Sequence, residues 1–197
     1  MLHIIQLLLL TATLLGCSLD SDQPDKPATP PLISAAEQGD LATLKQLLQT
    51  QPADTYDSCQ WTPLMKASLN GHQEIATELL ASRASIDLAD KGGYTALMLA
   101  ASNNHYTLVR LLLQNRADIN RQERTQGWTA LIWSAKRGHL ETVKELLSVG
   151  ANTEIKDNSG LTAQEWAVKN KHIEIANLLT DGKKILHPQV EYPVQRN

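Results

Sequence analysis

The sequence predicts an all-α solenoid of about five stacked helix-turn-helix units joined by hairpin loops. A threonine-led apolar segment recurs at Thr62, Thr95, Thr129 and Thr162, at intervals of 33, 34 and 33 residues. A turn residue follows each of these segments, and a second apolar stretch rich in leucine follows the turn. Self-similarity at such a period is typical of repeat proteins, whose units bury their apolar faces only against neighbouring units.

The leader, residues 1–16, is predicted to be a signal peptide. It has no lysine, arginine or carboxylate, and its apolar run of about a dozen residues is shorter than the roughly 20 needed to span a bilayer. The run ends at Leu14-Leu15-Gly16-Cys17, which resembles the lipobox of bacterial lipoproteins. The weak positive charge, from His3 and the α-amine alone, departs from that pattern, so an uncleaved apolar tail with a chance cysteine is the alternative.

The lipoprotein resemblance implies that Cys17 carries a diacylglyceryl thioether and an N-acyl group. Several acyl chains together anchor stably, whereas one chain binds only marginally. Ser18 after the cysteine implies sorting to the outer membrane, facing the periplasm. Because the chain has two cysteines, lipidation of Cys17 leaves no intramolecular disulfide for Cys59.

Residues 17–30 are predicted to form a disordered, proline-rich tether after the lipidated cysteine. Between Ser18 and Pro31 there are four prolines and almost no apolar side chains, so the segment cannot bury enough surface to fold. Extended, it reaches on the order of 40 Å at about 3 Å per residue.

The same residue types recur at the same structural positions of each unit. The threonine hydroxyl caps a first helix, and Pro63 stands in the first turn, where proline is tolerated. Small alanines let helices approach, a left-handed residue ends the first helix, and leucine pairs give the second helix a buried stripe. We expect five units, bounded as 31–56, 57–89, 90–123, 124–156 and 157–183, and an extended tail over 184–197.

The recurring pattern resembles that of ankyrin repeats, and it covers residues 31–183. It is seen in Thr62-Pro63-Leu64, in Gly71-His72, in Leu79-Leu80 and in Arg116-Ala117-Asp118. The family's loop glycine is replaced by Arg83 and Arg116, so we expect those two loops to differ in shape. Gln164 and Glu165 replace apolar residues, as a water-facing C-terminal cap requires.

No motif for enzymatic chemistry is present. The sequence contains no nucleophile elbow, phosphate loop or metal-ligand spacing, so we expect no catalytic activity, cofactor or metal. Four histidines share one repeat position, which indicates a structural role: His72, His105, His139 and His172. A net charge of −3 gives no basic footprint for nucleic acid.

The ankyrin resemblance implies protein binding through loop tips and the inner face of the first helices. The residue before each threonine lies at that edge: Trp61, Tyr94, Trp128 and Leu161. These residues either anchor a partner or pack against the next loop, and the sequence favours neither interpretation. Residues that end the first helices are further candidates, and they vary between units: Leu69-Asn70, Ser102-Asn103 and Lys136-Arg137. Trp133 and Trp166 align with Leu99 and are predicted to be core.

The sequence therefore predicts a membrane-tethered, periplasmic protein-interaction module that is monomeric and not an enzyme. The resemblance to bacterial ankyrin lipoproteins permits a partner in oxidant defence, another envelope protein or a toxin that is antagonised. The alternative is an accessory protein that binds a small molecule or a cell-wall glycan, although an open solenoid offers no enclosed cavity.

Overall fold

The structure, a computed structural model, describes residues 29–186, with side chains described from 29 to 180. These residues form ten α-helices in five consecutive pairs. The helices are α1 (Pro31–Gln38), α2 (Leu41–Leu48), α3 (Pro63–Asn70), α4 (Gln73–Ala81), α5 (Ala96–Ser102), α6 (Tyr106–Gln114), α7 (Ala130–Arg137), α8 (Leu140–Ser148), α9 (Ala163–Lys169) and α10 (Ile173–Leu186). Within the described range, β-structure is limited to a single antiparallel bridge between Ala89 and Thr95.

The predicted threonine caps are confirmed in units two to five. Each hydroxyl oxygen accepts the backbone N–H three residues on, which satisfies a donor that a helix start leaves exposed. The caps are Thr62, Thr95, Thr129 and Thr162. At Thr162 the side chain of Glu165 reaches back to the Thr162 backbone N–H, which completes a capping box.

The residue between the two helices of each unit is left-handed, as predicted. Positive φ angles of 61–82° occur at Gly39, Gly71, Asn104, Gly138 and Lys171. The angle itself admits other residues, as Asn104 and Lys171 show, but at Gly138 an added Cβ would lie 2.6 Å from Cε1 of His172, so the available space also favours glycine there.

The expectation that the loops after α4 and α6 differ in shape is wrong. Arg83 and Arg116 adopt φ angles of 65° and 67°, in the same left-handed region as Gly150 at 86°. The N–H of Ala84, Ala117 and Ala151 donates to a leucine carbonyl of the preceding helix in all three units. The shared hydrogen bond thus holds the left-handed conformation even where a side chain makes it costly.

Two helical layers make up the stack. The first helices of neighbouring units contact one another more extensively than the second helices do, so the stack curves with α1, α3, α5, α7 and α9 on its inner face. The second helices form the outer layer and bury their leucine stripe between the layers, where Leu79, Leu112 and Leu146 are fully buried. One continuous core runs through all five units.

The C-terminal unit differs from the prediction at its end. Helix α10 continues to Leu186, so residues 184–186 of the predicted tail are helical. Gln164 and Glu165 are partly or fully exposed, as a polar cap requires. The predicted signal peptide, Cys17 and residues 187–197 lie outside the described residues. Among the described residues no helix is both long and apolar enough to cross a membrane.

Cys59 differs from the expectation drawn from lipidation. It lies in the loop that enters unit two, partly buried against the core, and its sulfur belongs to a disulfide.

Candidate functional site

The aromatic edge of the stack is buried. Trp61, Tyr94 and Trp128 are 6, 4 and 6% exposed, and Leu161 is partly exposed. Side chains this deeply covered offer little area to a partner, and they bury a large area within the stack. The structure therefore favours the second interpretation, in which the three aromatic residues stabilise the contacts between units.

A carboxylate holds each edge residue in place, and sequence reasoning missed it. The backbone N–H of Trp61, Tyr94, Trp128 and Leu161 donates at 2.9–3.0 Å to the side chains of Asp57, Asp90, Glu123 and Asp157 respectively. The acid stands four residues before the edge residue in three units and five before it in unit four. The longer glutamate thus compensates for the extra residue of that loop.

Asp157 also joins two tryptophans. Its Oδ2 accepts hydrogen bonds from Nε1 of Trp128 at 2.8 Å and of Trp166 at 2.7 Å, while its Oδ1 accepts the backbone N–H of Ser159 and Leu161. Burial by itself raises the pKa of Asp157, but the hydrogen bonds from Leu161, Trp166, Trp128 and Ser159 outweigh it and leave the pKa below its usual range. The carboxylate therefore stays ionised and fixes both indole rings.

These rings belong to an aromatic cluster that extends over three units. The ring centroids of Trp128 and Trp133 are 4.5 Å apart, those of Trp128 and Trp166 are 5.7 Å apart, and Tyr94 lies 6.1 Å from Trp133. Trp133 is buried, which confirms its predicted place in the core, whereas Trp166 is only partly buried against it. Nε1 of Trp133 has no acceptor among the described residues.

Three cations cover the cluster on the inner face. Nζ of Lys136 lies 5.0 Å from the Trp128 centroid and 4.7 Å from that of Trp166. The Arg137 guanidinium lies 4.9 Å over Trp133, and Nζ of Lys169 lies 4.6 Å over Trp166. Such distances are those of cation–π contacts. We call Lys136, Arg137, Lys169 and the tryptophans beneath them the cationic patch.

Several helix-end candidates are engaged within the stack. The side-chain amide of Asn70 donates to the carbonyl of Glu37, and Arg137 donates to the carbonyl of Ser102. Ser102 is buried and Leu69 packs partly against the core. Asn103 is exposed and its amide caps the carbonyl of Leu99. Among these candidates, exposed polar surface remains at Asn70, Asn103, Lys136 and Arg137.

The four repeated histidines are structural, as predicted. Nε2 of each lies 3.0–3.2 Å from a carbonyl oxygen of the preceding unit: Glu37, Leu69, Ser102 and Lys136. They therefore link successive inner helices. No group of three histidine, cysteine or acidic side chains within the described range could hold a metal ion. The hollow on unit five, lined by Leu161, Gln164, Glu165, Val168 and Lys169, is open to solvent.

Comparison with known proteins agrees with the geometry. Residues 32–123 and 121–189 match the family described as ankyrin repeats (3 copies). The ankyrin repeat protein nuc-2 of Neurospora crassa is 26% identical over 86% of this chain and 19% of its own length. The E3 ubiquitin-protein ligase XBAT32 of Arabidopsis thaliana is 30% identical over 89% of this chain and 39% of its own length.

The chain spans less than half the length of these relatives, so the ligase named there is a larger protein than the repeats it shares with this chain. Ankyrin repeats are protein–protein interaction modules and are typically non-catalytic. The paired helices, the 33-residue period and the family match all agree, and the chain belongs to the ankyrin-repeat family.

Proposed function

We propose that this protein is a membrane-tethered interaction module of the bacterial periplasm, in which five ankyrin units present their inner face to a protein partner. The observation that carries the proposal is the inner face itself. It is curved, it changes composition from unit to unit, and it bears exposed polar and charged side chains on a two-layer stack with one continuous core. A preorganised surface of this kind loses little conformational entropy when a partner binds.

The location is proposed from the sequence alone. An apolar leader that ends at Gly16-Cys17, followed by a proline-rich segment, supports a lipid anchor with a tether. The partner is then another envelope protein, a component of oxidant defence or a toxin. Identification of the captured protein decides among these three.

In-cell crosslinking and capture of the full-length protein tests the interaction. The parent is compared with an inner-face variant, Asn103→Glu with Lys169→Glu, and with an outer-face control, Thr107→Glu with Lys144→Glu. All four positions are exposed, so the variants are expected to fold, and circular dichroism checks this. We expect one envelope protein captured by the parent and the control but lost from the inner-face variant. Equal capture by all three chains would contradict the proposal.

The anchor is tested separately, through Cys17. Membranes from cells that express the parent or Cys17→Ala are fractionated. A lipidated Cys17 predicts release of Cys17→Ala from membranes, and the anchor proposal fails if Cys17→Ala stays membrane-bound.

A further inference from the structure

We propose that the cationic patch on units four and five binds an acidic segment of the partner protein. This inference deepens the proposed function and rests on it, because it names the part of the inner face that is used and the chemistry of the segment that fits there. Lys136, Arg137 and Lys169 supply the charge, and the tryptophans beneath them hold those cations in place.

The charge of the patch is not neutralised within the described residues. Ion pairs there join Lys45, Lys66, Arg110 and Lys144 to glutamates, whereas no carboxylate lies within 4.0 Å of the three patch cations. Unit two has a similar cation–π contact, but its lysine also forms an ion pair. Lys66 lies 4.8 Å over Trp61, in a similar cation–π arrangement, yet its Nζ is 2.9 Å from Oε1 of Glu37. The first unit thus supplies an acid for its neighbour's cation, whereas the described side chains of units four and five form no ion pair with the patch cations.

Keeping these cations together is unfavourable for the free protein. Burial lowers the pKa of Lys136, and the positive charges of Arg137 and Lys169 lower it further. Like charges held together with no counter-ion among the described side chains repel one another, and a negative group from a partner would relieve that repulsion. A carboxylate bound beside Lys136 or Lys169 would exchange this repulsion for attraction.

The helix dipole alone does not explain the patch. Basic residues suit the last turn of a helix, and Lys136, Arg137 and Lys169 all occupy that turn. However, the inner helices α1, α3 and α5 have no basic residue in their last turns, and Leu69 and Ser102 stand where Lys136 stands in unit four. The charge therefore belongs to one end of the inner face and is not a property of the repeat.

The geometry favours a carboxylate-bearing peptide over an isolated anion. Arg137 uses one guanidinium nitrogen to bind the carbonyl of Ser102 and lies over Trp133, so the remaining donors have a fixed direction. Lys136 and Lys169 share the Trp166 ring. Cations spread over the last turns of two adjacent helices match several carboxylates along one extended strand better than a single compact ion.

Fluorescence anisotropy with the full-length protein tests the proposal. The probes are a labelled peptide rich in glutamate, the same peptide with glutamine at every glutamate, and vesicles of phosphatidylglycerol. The patch variant is Lys136→Gln with Lys169→Gln, and the control is Lys45→Gln with Lys144→Gln, which removes equal charge from the outer helices. Near-ultraviolet circular dichroism confirms that both variants retain the aromatic packing.

We expect saturable binding of the glutamate peptide, a Kd raised at least about tenfold in the patch variant, and little change in the control. Binding should weaken with salt, because the patch is open to solvent. The proposal is overturned if the glutamate peptide does not saturate, if the glutamine peptide binds equally well, if the control weakens as much, or if only vesicles bind. Capture of a protein partner that is indifferent to the patch variant would overturn this proposal and leave the proposed function intact.

Discussion

Asp157→Asn should destabilise the stack far more than the same change at the equivalent Asp57. In Asp157 both carboxylate oxygens are used, with two backbone N–H groups on Oδ1 and two indole N–H groups on Oδ2. Asparagine keeps one acceptor oxygen but turns an amide N–H₂ toward the other pair of donors. Asp57 uses Oδ1 alone, for the backbone N–H of Cys59 and Trp61, and asparagine can reproduce that arrangement.

The size of the stability loss follows from the number of hydrogen bonds that the substitution removes. A hydrogen bond to a charged group contributes about 1.5–3 kcal/mol, so losing both indole bonds of Asp157 should lower the free energy of unfolding by about 3 kcal/mol or more. Asp57→Asn should cost less than about 1 kcal/mol, because no donor loses its acceptor. Urea unfolding followed by tryptophan fluorescence measures both variants, and Trp128 and Trp166 report directly on the site.

The pH dependence gives an independent check on the same residue. The pKa of Asp157 is lower in the folded protein than its usual value of 3.8, so its contribution is fully present above that value and is lost as the pH falls through the folded pKa. The parent should lose stability more steeply than Asp157→Asn below about pH 4. Equal costs for Asp157→Asn and Asp57→Asn, or parallel pH profiles, would refute the assignment of Asp157 as the link between the tryptophans.

Three further predictions concern the stack. Leu112→Ala should cost about 2–5 kcal/mol because Leu112 is fully buried, while Val149→Ala, at a position 55% exposed, should cost less than about 0.5 kcal/mol in urea unfolding. Gly138→Ala should lower the melting temperature more than Gly150→Ala. Both glycines have positive φ, but only at Gly138 would the new methyl group meet another side chain, at 2.6 Å. Burial lowers the pKa of His139 below 6.5, so the folded state favours the neutral ring. As the pH falls from about 7.5 to about 5.5, the free energy of unfolding should therefore decrease less steeply in His139→Gln than in the parent.

Much of the fold could be predicted because the same local sequence signals recur in several units. The threonine caps, the left-handed turns and the leucine stripe each depend on local chemistry, and each recurs at the same place. The prediction of the loop shapes failed because hydrogen bonds, rather than the residue type, decide the backbone conformation there. The arginines at 83 and 116 take the glycine conformation because the loop hydrogen bond is the same in units two, three and four.

The candidate surface was harder to predict than the fold. Sequence position placed Trp61, Tyr94 and Trp128 at an edge, but only the three-dimensional arrangement shows that all three side chains are buried. The loop acids had a signal in the sequence, a carboxylate four or five residues before each edge residue. The cationic patch had a weaker sequence signal. Lys136 and Lys169 lie 33 residues apart in the sequence and approach the same tryptophan ring only when units four and five stack.

Site-specific photocrosslinking in living cells tests most directly whether the inner face binds a protein. A photoreactive amino acid is placed at the exposed inner-face position 169 in one chain and at the exposed outer-face position 141 in another. We expect a discrete crosslinked protein from position 169, absent at 141 and reduced when Lys136 is changed to glutamine. No protein crosslink at position 169, or the same product from both faces, would contradict partner binding at the inner face.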